Sequence, residues 1–373
     1  MQSSITKAVL VLGLAILSIP ASAADFTETK TFSSDTLTLT NLIGEVTISG
    51  HRGSGFEVVV HVHGDDASRD NVRLETGRDR LTIAFPDSKK YVYPALENDH
   101  EVNFQPNDGD GGWLSSLLGG DRIKVTRDGS GMEVWADIEV RVPSGGNLRL
   151  RQGVGEVRAN EVGGDLDLDS HYGTVTVDSV DGDLIVDTGS GDVSIAGVNG
   201  ELSVDTGSGD VEVDGAQTED IVVDTGSGDV TLIKVASSGD VSVDTGSGDV
   251  TLSDVSGSDI DVDTGSGDVN ASDIRAEGAM IDTGSGNVVL HLLEMGRGDF
   301  DIDTGSGGIQ LGLPAGASCR VRAESNGGVS VDLSGVKNMR QDDDDEVAFT
   351  IGSGDASVSL DAGSGRIRIL EAN

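Results

Sequence analysis

Aliphatic and polar residues alternate around a short motif that recurs along the middle of the chain. The pentapeptide DTGSG begins at Asp187, Asp205, Asp224, Asp244, Asp263, Asp282 and Asp303, at spacings of 18 to 21 residues. When the copies are aligned on this Asp, aliphatic columns appear three and one residues before it and six and eight residues after it. Strict alternation of this kind is typical of β-strands with one buried face. Each repeat therefore predicts a strand, a GSG turn, a second strand and a variable turn.

One such repeat cannot bury its own apolar face, but stacked copies can, because each column becomes a continuous row of aliphatic side chains. The near-constant period of about 19 residues predicts an all-β fold, a parallel β-helix (β-solenoid), over residues 147–335. Residues 24–146 alternate less regularly and predict a β-rich segment that starts or caps the solenoid; Thr36–Gly50 (TLTLTNLIGEVTISG) resembles a diverged coil. Residues 336–373 are expected to cap the other end.

The first 23 residues have the features of a secretory signal peptide. Lys7 is followed by an uncharged apolar run, Ala8–Pro20, and then by the small residues Ala21-Ser22-Ala23. This arrangement predicts cleavage after Ala23 and export from the cytoplasm. No later stretch predicts a membrane span.

The layout also resembles a known family. An irregular β segment ends in VRVPSGGNLRL (Val140–Leu150), and Gly/Asp-rich coils such as GDLIVDTGSGDVSI follow it. This pattern is similar to the bacterial "putative adhesin" domain family, whose members are extracytoplasmic Gly-rich β-helices and are otherwise domains of unknown function. The resemblance covers most of the chain after the signal peptide and implies a β-helix without known catalytic residues.

The net charge of the chain argues against two classes of binding partner. The 25 basic and 65 acidic residues give a net charge of −40. Nucleic acids and anionic membrane surfaces are bound by cationic footprints, so neither is an expected partner. The single cysteine, Cys319, excludes an internal disulfide and a Cys-rich zinc site.

The acidic residues form columns of their own. Strand parity predicts that they face solvent, on both sides of the GSG turn and just before each coil. The candidate calcium ligands in two of these columns are Asp187, Asp192, Asp205, Asp210, Asp224, Asp229, Asp244, Asp249, Asp263 and Asp268. Calcium takes oxygen ligands and could bridge neighbouring coils. The alternative is that these residues are solvated and cap turns; for the DTGSG Asp we expect acceptance of backbone N–H groups within its own turn.

Other motifs admit two interpretations. DTGS is the signature of aspartic proteases, but seven copies in one repeat array favour a turn motif. His61 and His63 share one strand face and could begin a metal site, although no third ligand is identifiable. Trp113, Leu114, Leu117 and Leu118 lie in a Gly/Asp-rich loop and are candidate partner contacts; folding of the loop over the cap is the alternative.

Three functional hypotheses follow. The favoured one is a non-enzymatic exported β-helix that serves as an adhesin or envelope scaffold, with an unknown ligand and no required cofactor. The alternative is a calcium-responsive binding module that uses the stacked Asp columns. A polysaccharide-active enzyme is less favoured, because residues 152–319 contain 34 acidic and four basic residues and residues 173–319 contain one aromatic residue, Phe300.

Overall fold

The computed structural model describes residues 25–96, 100–102, 123–342 and 345–372, and this part of the chain forms strands and turns without an α-helix. Most strands belong to two parallel sheets that form the two long faces of a β-solenoid, as the sequence predicts. Each coil contributes one strand to each face, and a GSG turn or its equivalent joins the two strands.

The first face carries the strand that precedes each GSG turn. Strands are numbered in chain order, and this face contains β2 (Thr36–Ile43), β12 (Asn147–Val154), β14 (Asp165–Tyr172), β16 (Leu184–Thr188), β18 (Leu202–Thr206), β20 (Ile221–Thr225), β22 (Val241–Thr245) and β26 (Asp299–Thr304). The C-terminal halves of two longer strands, β23 (Val250–Thr264) and β24 (Val269–Thr283), lie between β22 and β26.

The second face carries the strand that follows each turn. It contains β3 (Val46–His51), β13 (Val157–Val162), β15 (Val175–Asp181), β17 (Val193–Asn199), β19 (Val211–Thr218), β21 (Val230–Ser237), the N-terminal halves of β23 and β24, β25 (Val288–Met295) and β27 (Ile309–Leu313). Thr36–Gly50 is a coil, as predicted, because β2 pairs in parallel with β12 and β3 with β13.

Strands that precede the first coil or are inserted between the first two coils extend both faces at the N-terminal end. The second face continues through β11 (Trp135–Pro143), β4 (Phe56–His63) and β1 (Phe26–Phe32), and the first face continues through β6 (Arg80–Ala84) and β5 (Arg73–Thr76). A separate small sheet contains β7 (Lys90–Val92), β8 (His100–Val102), β9 (Ile123–Thr126) and β10 (Met132–Glu133).

At the C-terminal end the order of coils in the stack departs from their order in the chain. The strands there are β28 (Cys319–Ser325), β29 (Val329–Asp332), β30 (Lys337–Asp342), β31 (Glu346–Thr350), β32 (Ala356–Ala362) and β33 (Ile367–Glu371). The coil of β32 and β33 lies between the coil of β26 and β27 and the coil of β28 and β29. Residues 336–373, expected to be a cap, therefore divide into two covering strands, β30 and β31, and one coil within the stack.

The core consists of the predicted aliphatic columns and one more. Leu202, Ile221 and Val241 stack in register, as do Val204, Val223 and Val243, and all six are at most 2% exposed. A further buried column lies eleven residues after each of the first five DTGSG Asp residues and contains Val198, Ala216, Val235, Val255 and Ile274. It is three residues beyond the preceding column, because one residue per coil has a positive φ and turns the chain inward.

Val223→Asp and Val222→Asp form a matched pair that tests this packing. Val223 is 1% exposed and Val222 is 46% exposed. We expect Val223→Asp to cost about 4 kcal/mol or more, because an unpaired charge would enter an aliphatic column. Val222→Asp should cost about 1 kcal/mol or less, with repulsion from Asp220 and Asp224 as its main contribution. Urea unfolding followed by circular dichroism measures both, and equal tolerance of the two variants would contradict the inward and outward assignment.

Candidate functional site

The edge of the solenoid formed by the GSG turns is built by close stacking of backbone on backbone. A Cβ added to Gly248 would overlap the carbonyl oxygen of Gly228, and a Cβ added to Gly267 would overlap that of Gly248. Only glycine fits this position. The neighbouring Thr of each motif points into the core, where the Thr264 hydroxyl donates to the Gly248 carbonyl at 2.9 Å and accepts from the Gly267 N–H at 3.1 Å.

This arrangement accounts for the DTGS sequence without catalysis. The Asp residues of successive motifs stand in one parallel column, with Asp205 opposite Asp224 and Asp224 opposite Asp244. An aspartic protease instead needs two Asp residues that face each other and share a proton. The column supports the interpretation of DTGSG as a turn motif.

The Asp that follows each GSG turn binds the backbone of the next coil. Its carboxylate Oδ1 accepts the N–H of its equivalent one coil later. The distances are 3.1 Å from Asp210 N to Asp192, 2.9 Å from Asp229 N to Asp210, 2.8 Å from Asp249 N to Asp229 and 2.7 Å from Asp268 N to Asp249. Asn287 continues this ladder, since its Oδ1 accepts the Gly308 N–H at 3.0 Å. A similar ladder precedes each coil, where Asp240 N donates to Asp220 Oδ1 at 2.9 Å.

Three carboxyl groups of the column that contains the DTGSG Asp residues have raised pKa values. Burial, followed by the Asp187 carboxylate, raises the pKa of Asp169 to about 6. Asp169 is the degenerate first member of the column and stacks on Asp187. Partial burial, with neighbouring Asp residues as the next cause, also raises the pKa of Asp244 and of Asp303. Acceptance of N–H groups by the DTGSG Asp within its own turn stays a prediction, while the hydrogen bonds between coils lie on the Asp that follows GSG.

The candidate calcium ligands thus lie in two columns with separate roles. Within the described ranges, no group of three or more His, Cys, Asp or Glu side chains has a metal-holding arrangement. A calcium ion could be held only by pairs of carboxylates from neighbouring coils. Its binding stays a prediction.

The two histidines of β4 face carboxylates on neighbouring strands. His63 Nδ1 lies 3.2 Å from Asp25 Oδ2 and its Nε2 lies 3.5 Å from Asp137 Oδ2, while His61 Nε2 lies 3.6 Å from Glu139 Oε1. His63 also stacks on Trp135 at a centroid distance of 5.7 Å. These contacts link β1, β4 and β11 at the N-terminal end of the second face.

The remaining candidate residues lie outside the described part of the chain or in the core. Trp113, Leu114, Leu117 and Leu118 lie outside the described residues, as does the predicted signal peptide. Cys319 is buried, and this burial raises the pKa of its thiol to about 11. The described part of the chain contains no helix able to cross a membrane.

Asp229→Ala and Asp229→Asn distinguish the hydrogen-bond ladder from simple surface charge. We expect Asp229→Ala to lower the unfolding free energy by about 1 kcal/mol, because the Asp249 N–H loses its acceptor. Asp229→Asn should be nearly neutral, since Asn287 performs the same role in this chain. Denaturant melts measure both effects; an Asn variant as destabilised as the Ala variant would show that charge, not acceptance, matters.

The raised pKa values predict that acid stabilises the protein over a limited range. A carboxyl group whose folded pKa exceeds its unfolded value binds protons more readily in the folded state, so stability rises as pH falls through the folded pKa. For Asp169 this window extends from about pH 6 down to its ordinary value of 3.8, and the gain is at most about 3 kcal/mol. We expect the melting temperature to rise from pH 7 to pH 5 in EDTA, and Asp169→Asn to be more stable than the parent at pH 7.

The same melting curves, measured with millimolar Ca²⁺ in place of EDTA, form the calcium arm of the experiment. If carboxylate pairs bind calcium, the ion should raise the melting temperature at pH 7 and flatten the pH dependence. NaCl at equal ionic strength is the control for screening. A melting temperature that falls between pH 7 and pH 5 would contradict repulsion within the column.

Comparison with known proteins places the chain in a family. The solved structures similar to it include a putative adhesin from Parabacteroides distasonis (11% identity, 92% of this chain and 97% of that chain, TM-score 0.40) and a putative lipid binding protein from the same organism (12%, 94% and 98%, 0.34). A putative adhesin from Bacteroides fragilis is another (11%, 92% and 97%, 0.28). The comparison with curated proteins found no match. The sequence matches one domain family over residues 44–241 and 200–370, and the chain therefore belongs to the Toastrack DUF4097 family.

Proposed function

We propose that this protein is an exported, non-enzymatic β-solenoid that acts as an adhesin or scaffold in the bacterial envelope. The observation that carries the proposal is the parallel stacking of the coils, in which the same residue of most repeats lies on its equivalent, as in Asp187, Asp205 and Asp224. Such stacking presents a long, rigid and repetitive surface, which is what extended binding proteins of the repeat class use. The predicted signal peptide at residues 1–23 and the family membership support the same function.

The geometry gives weaker support to the alternative that the protein is a polysaccharide-active enzyme than to the proposed scaffold. Phe300, the one aromatic residue between 173 and 319, is 1% exposed and belongs to the core. The acidic columns place similar carboxylates one above another from coil to coil, whereas a glycosidase needs two carboxylates in different environments, one protonated and one ionised. Asp169, with its pKa of about 6, stands in a column of similar carboxylates that face the same side.

The calcium-responsive alternative is favoured by one observation, the parallel stacking of Asp205, Asp224 and Asp244 on neighbouring coils. These carboxylates would gain from a bridging cation. We treat calcium as a modulator of the same scaffold, so that a positive result in the calcium arm above would refine the proposed function and leave it in place.

Localisation and activity measurements together test the proposal. The protein, carrying a C-terminal epitope tag, is expressed in a bacterial host and intact cells are treated with proteinase K. We expect processing near Ala23 and recovery of the mature chain outside the cytoplasm; digestion on intact cells would assign it to the outer surface, and protection until the envelope is opened would assign it to the periplasm. A variant that lacks residues 1–23 is the control and should remain in the cytoplasm.

The purified mature chain is then incubated with polygalacturonate and with hydroxyethyl cellulose, and new reducing ends are measured. We expect none above a buffer control. Cytoplasmic retention of the full-length chain, or release of reducing ends that Asp205→Asn abolishes, would refute the proposed function.

A further inference from the structure

A groove runs along the third side of the solenoid, away from the GSG edge. Three cavities of about 690, 770 and 310 Å³ form it. Asn199 lines both the first and the second cavity, and Ser237 and Ser238 line both the second and the third. The groove extends from Gly50 to Glu294, which is roughly 35–40 Å at the spacing of neighbouring strands.

The groove exists because one residue in each coil adopts a left-handed conformation. These residues form a column that contains Glu161 (φ 49°), Ser179 (φ 63°), Gly197 (φ 69°), Gly215 (φ 78°) and Lys234 (φ 53°), and all five line the groove. Non-glycine residues rarely adopt such φ values, and a repeated departure of this kind is a reason to look for function. The bend also directs Val180, Val198 and Ala216 into the core, which makes this side concave.

The lining of the groove differs from the acidic faces. Between residues 159 and 319 the chain contains three basic residues, and two of them, Lys234 and Arg275, line the groove. Arg52 lines its N-terminal end. Both Lys234 and Arg275 are held in ion pairs, at 3.2 Å to Asp214 and 2.7 Å to Asp254, so their positions are fixed.

Most other polar positions that line the groove carry amide, hydroxyl or carboxylate groups. Asn199 donates to Asp181 at 2.9 Å, and Ser237 donates to the carbonyl of Glu219 at 2.7 Å. Gln217 is exposed in the second cavity, next to the small residues Gly215 and Ala236. Large apolar side chains are sparse: in the described chain Met295 is the largest hydrophobic residue among the lining positions.

We infer that this groove binds a neutral polysaccharide laid along the solenoid axis, a conclusion that names the ligand class for the scaffold proposed above and rests on that function. Alternating hydroxyl, amide, carboxylate and guanidinium groups match the hydroxyl groups of sugars, and hydrogen bonds to the charged members are the stronger ones. The lining carries more carboxylates than cations, so an acidic polymer would be repelled.

The repeat distance favours a glycan over a peptide. Neighbouring coils are about 4.8 Å apart, which is close to the length of one pyranose unit in an extended chain. An extended peptide advances about 3.3 Å per residue and would lose register with the coils after a few residues. A peptide would also need alternate apolar pockets or a free strand edge, and the lining offers small polar residues instead.

Two Ser→Trp variants of the mature chain test the site. Ser238 is exposed and is shared by the second and third cavities, whereas Ser194 is equally exposed but lies on the outer side of β17. Ser238→Trp should block the groove and weaken binding at least ten-fold, while Ser194→Trp should stay within two-fold of the parent. Gln217→Ala should weaken binding about five-fold through loss of one hydrogen bond.

Binding is measured by affinity electrophoresis in gels that contain hydroxyethyl cellulose, laminarin, galactomannan or polygalacturonate, with melting curves as the check on folding. We expect retardation by at least one of the three neutral polymers and none by polygalacturonate. A reduced and carboxamidomethylated polypeptide without net negative charge, immobilised on a sensor surface, is the peptide probe. Three results would each overturn the inference. The first is that no neutral polymer retards the protein, and the second is that the two Trp variants bind equally well. The third is that the polypeptide, and not a polysaccharide, binds in the groove.

This experiment uses purified protein and is independent of export. Failure of glycan binding in a chain that is still found in the envelope would remove the groove ligand and leave the scaffold function. Cytoplasmic retention of a chain that still binds glycan would refute the scaffold function in the envelope and leave the groove ligand.

Discussion

The close approach of one GSG corner to the next is the constraint from which the other features of the stack follow. At Gly248 the space that a Cβ would occupy is already taken by the carbonyl oxygen of Gly228, so the corner can hold only glycine. The corners at Gly209, Gly228, Gly248, Gly267, Gly286 and Gly307 all pack glycine on the carbonyl of the preceding corner, and they hold the strands beside them in register. A fixed register then places identical positions of successive repeats on top of each other, inside and outside the solenoid.

The same register has opposite consequences on the two sides of the sheet. Inside, it converts Val, Ile and Leu positions into continuous buried columns, and it aligns Thr264 so that its hydroxyl joins two coils. Outside, it brings carboxylates of like charge together. Columns such as Asp210 and Asp229 offset that repulsion, because each carboxylate accepts the N–H of the next coil. In the DTGSG column partial burial, followed by the neighbouring carboxylates, raises the pKa of Asp244 and Asp303.

The sequence predicts the features that follow from the repeat period and from the alternation of buried and exposed residues. It predicts fewer of the features that follow from local backbone geometry. The solenoid, the coil at Thr36–Gly50 and the outward column of Asp187 follow from alternation of apolar and polar residues, a property of any strand with one buried face. The column of Val198 and Val235 was missed because the left-handed residue before it breaks that alternation. The groove was missed for the same reason: Lys234 and Arg275 look isolated in the sequence, and only the bend brings them to one concave side.

The insertion of the last coil could not be read from the sequence either. DAGSG at Asp361 has the form of an ordinary repeat, and its strands β32 and β33 do form an ordinary coil, but the coil of β28 and β29 lies beyond it. Pairing preferences of identical repeats do not specify which neighbour a coil selects, since each offers the same apolar columns. The choice here is consistent with end protection. Strand β30, which pairs with β31, carries Lys337 and Arg340. Charged edge strands prevent further strands from adding to a sheet. In the reordered C-terminus the charged strand β30 lies beyond β31, which pairs with β28, and at this edge it opposes the addition of another coil.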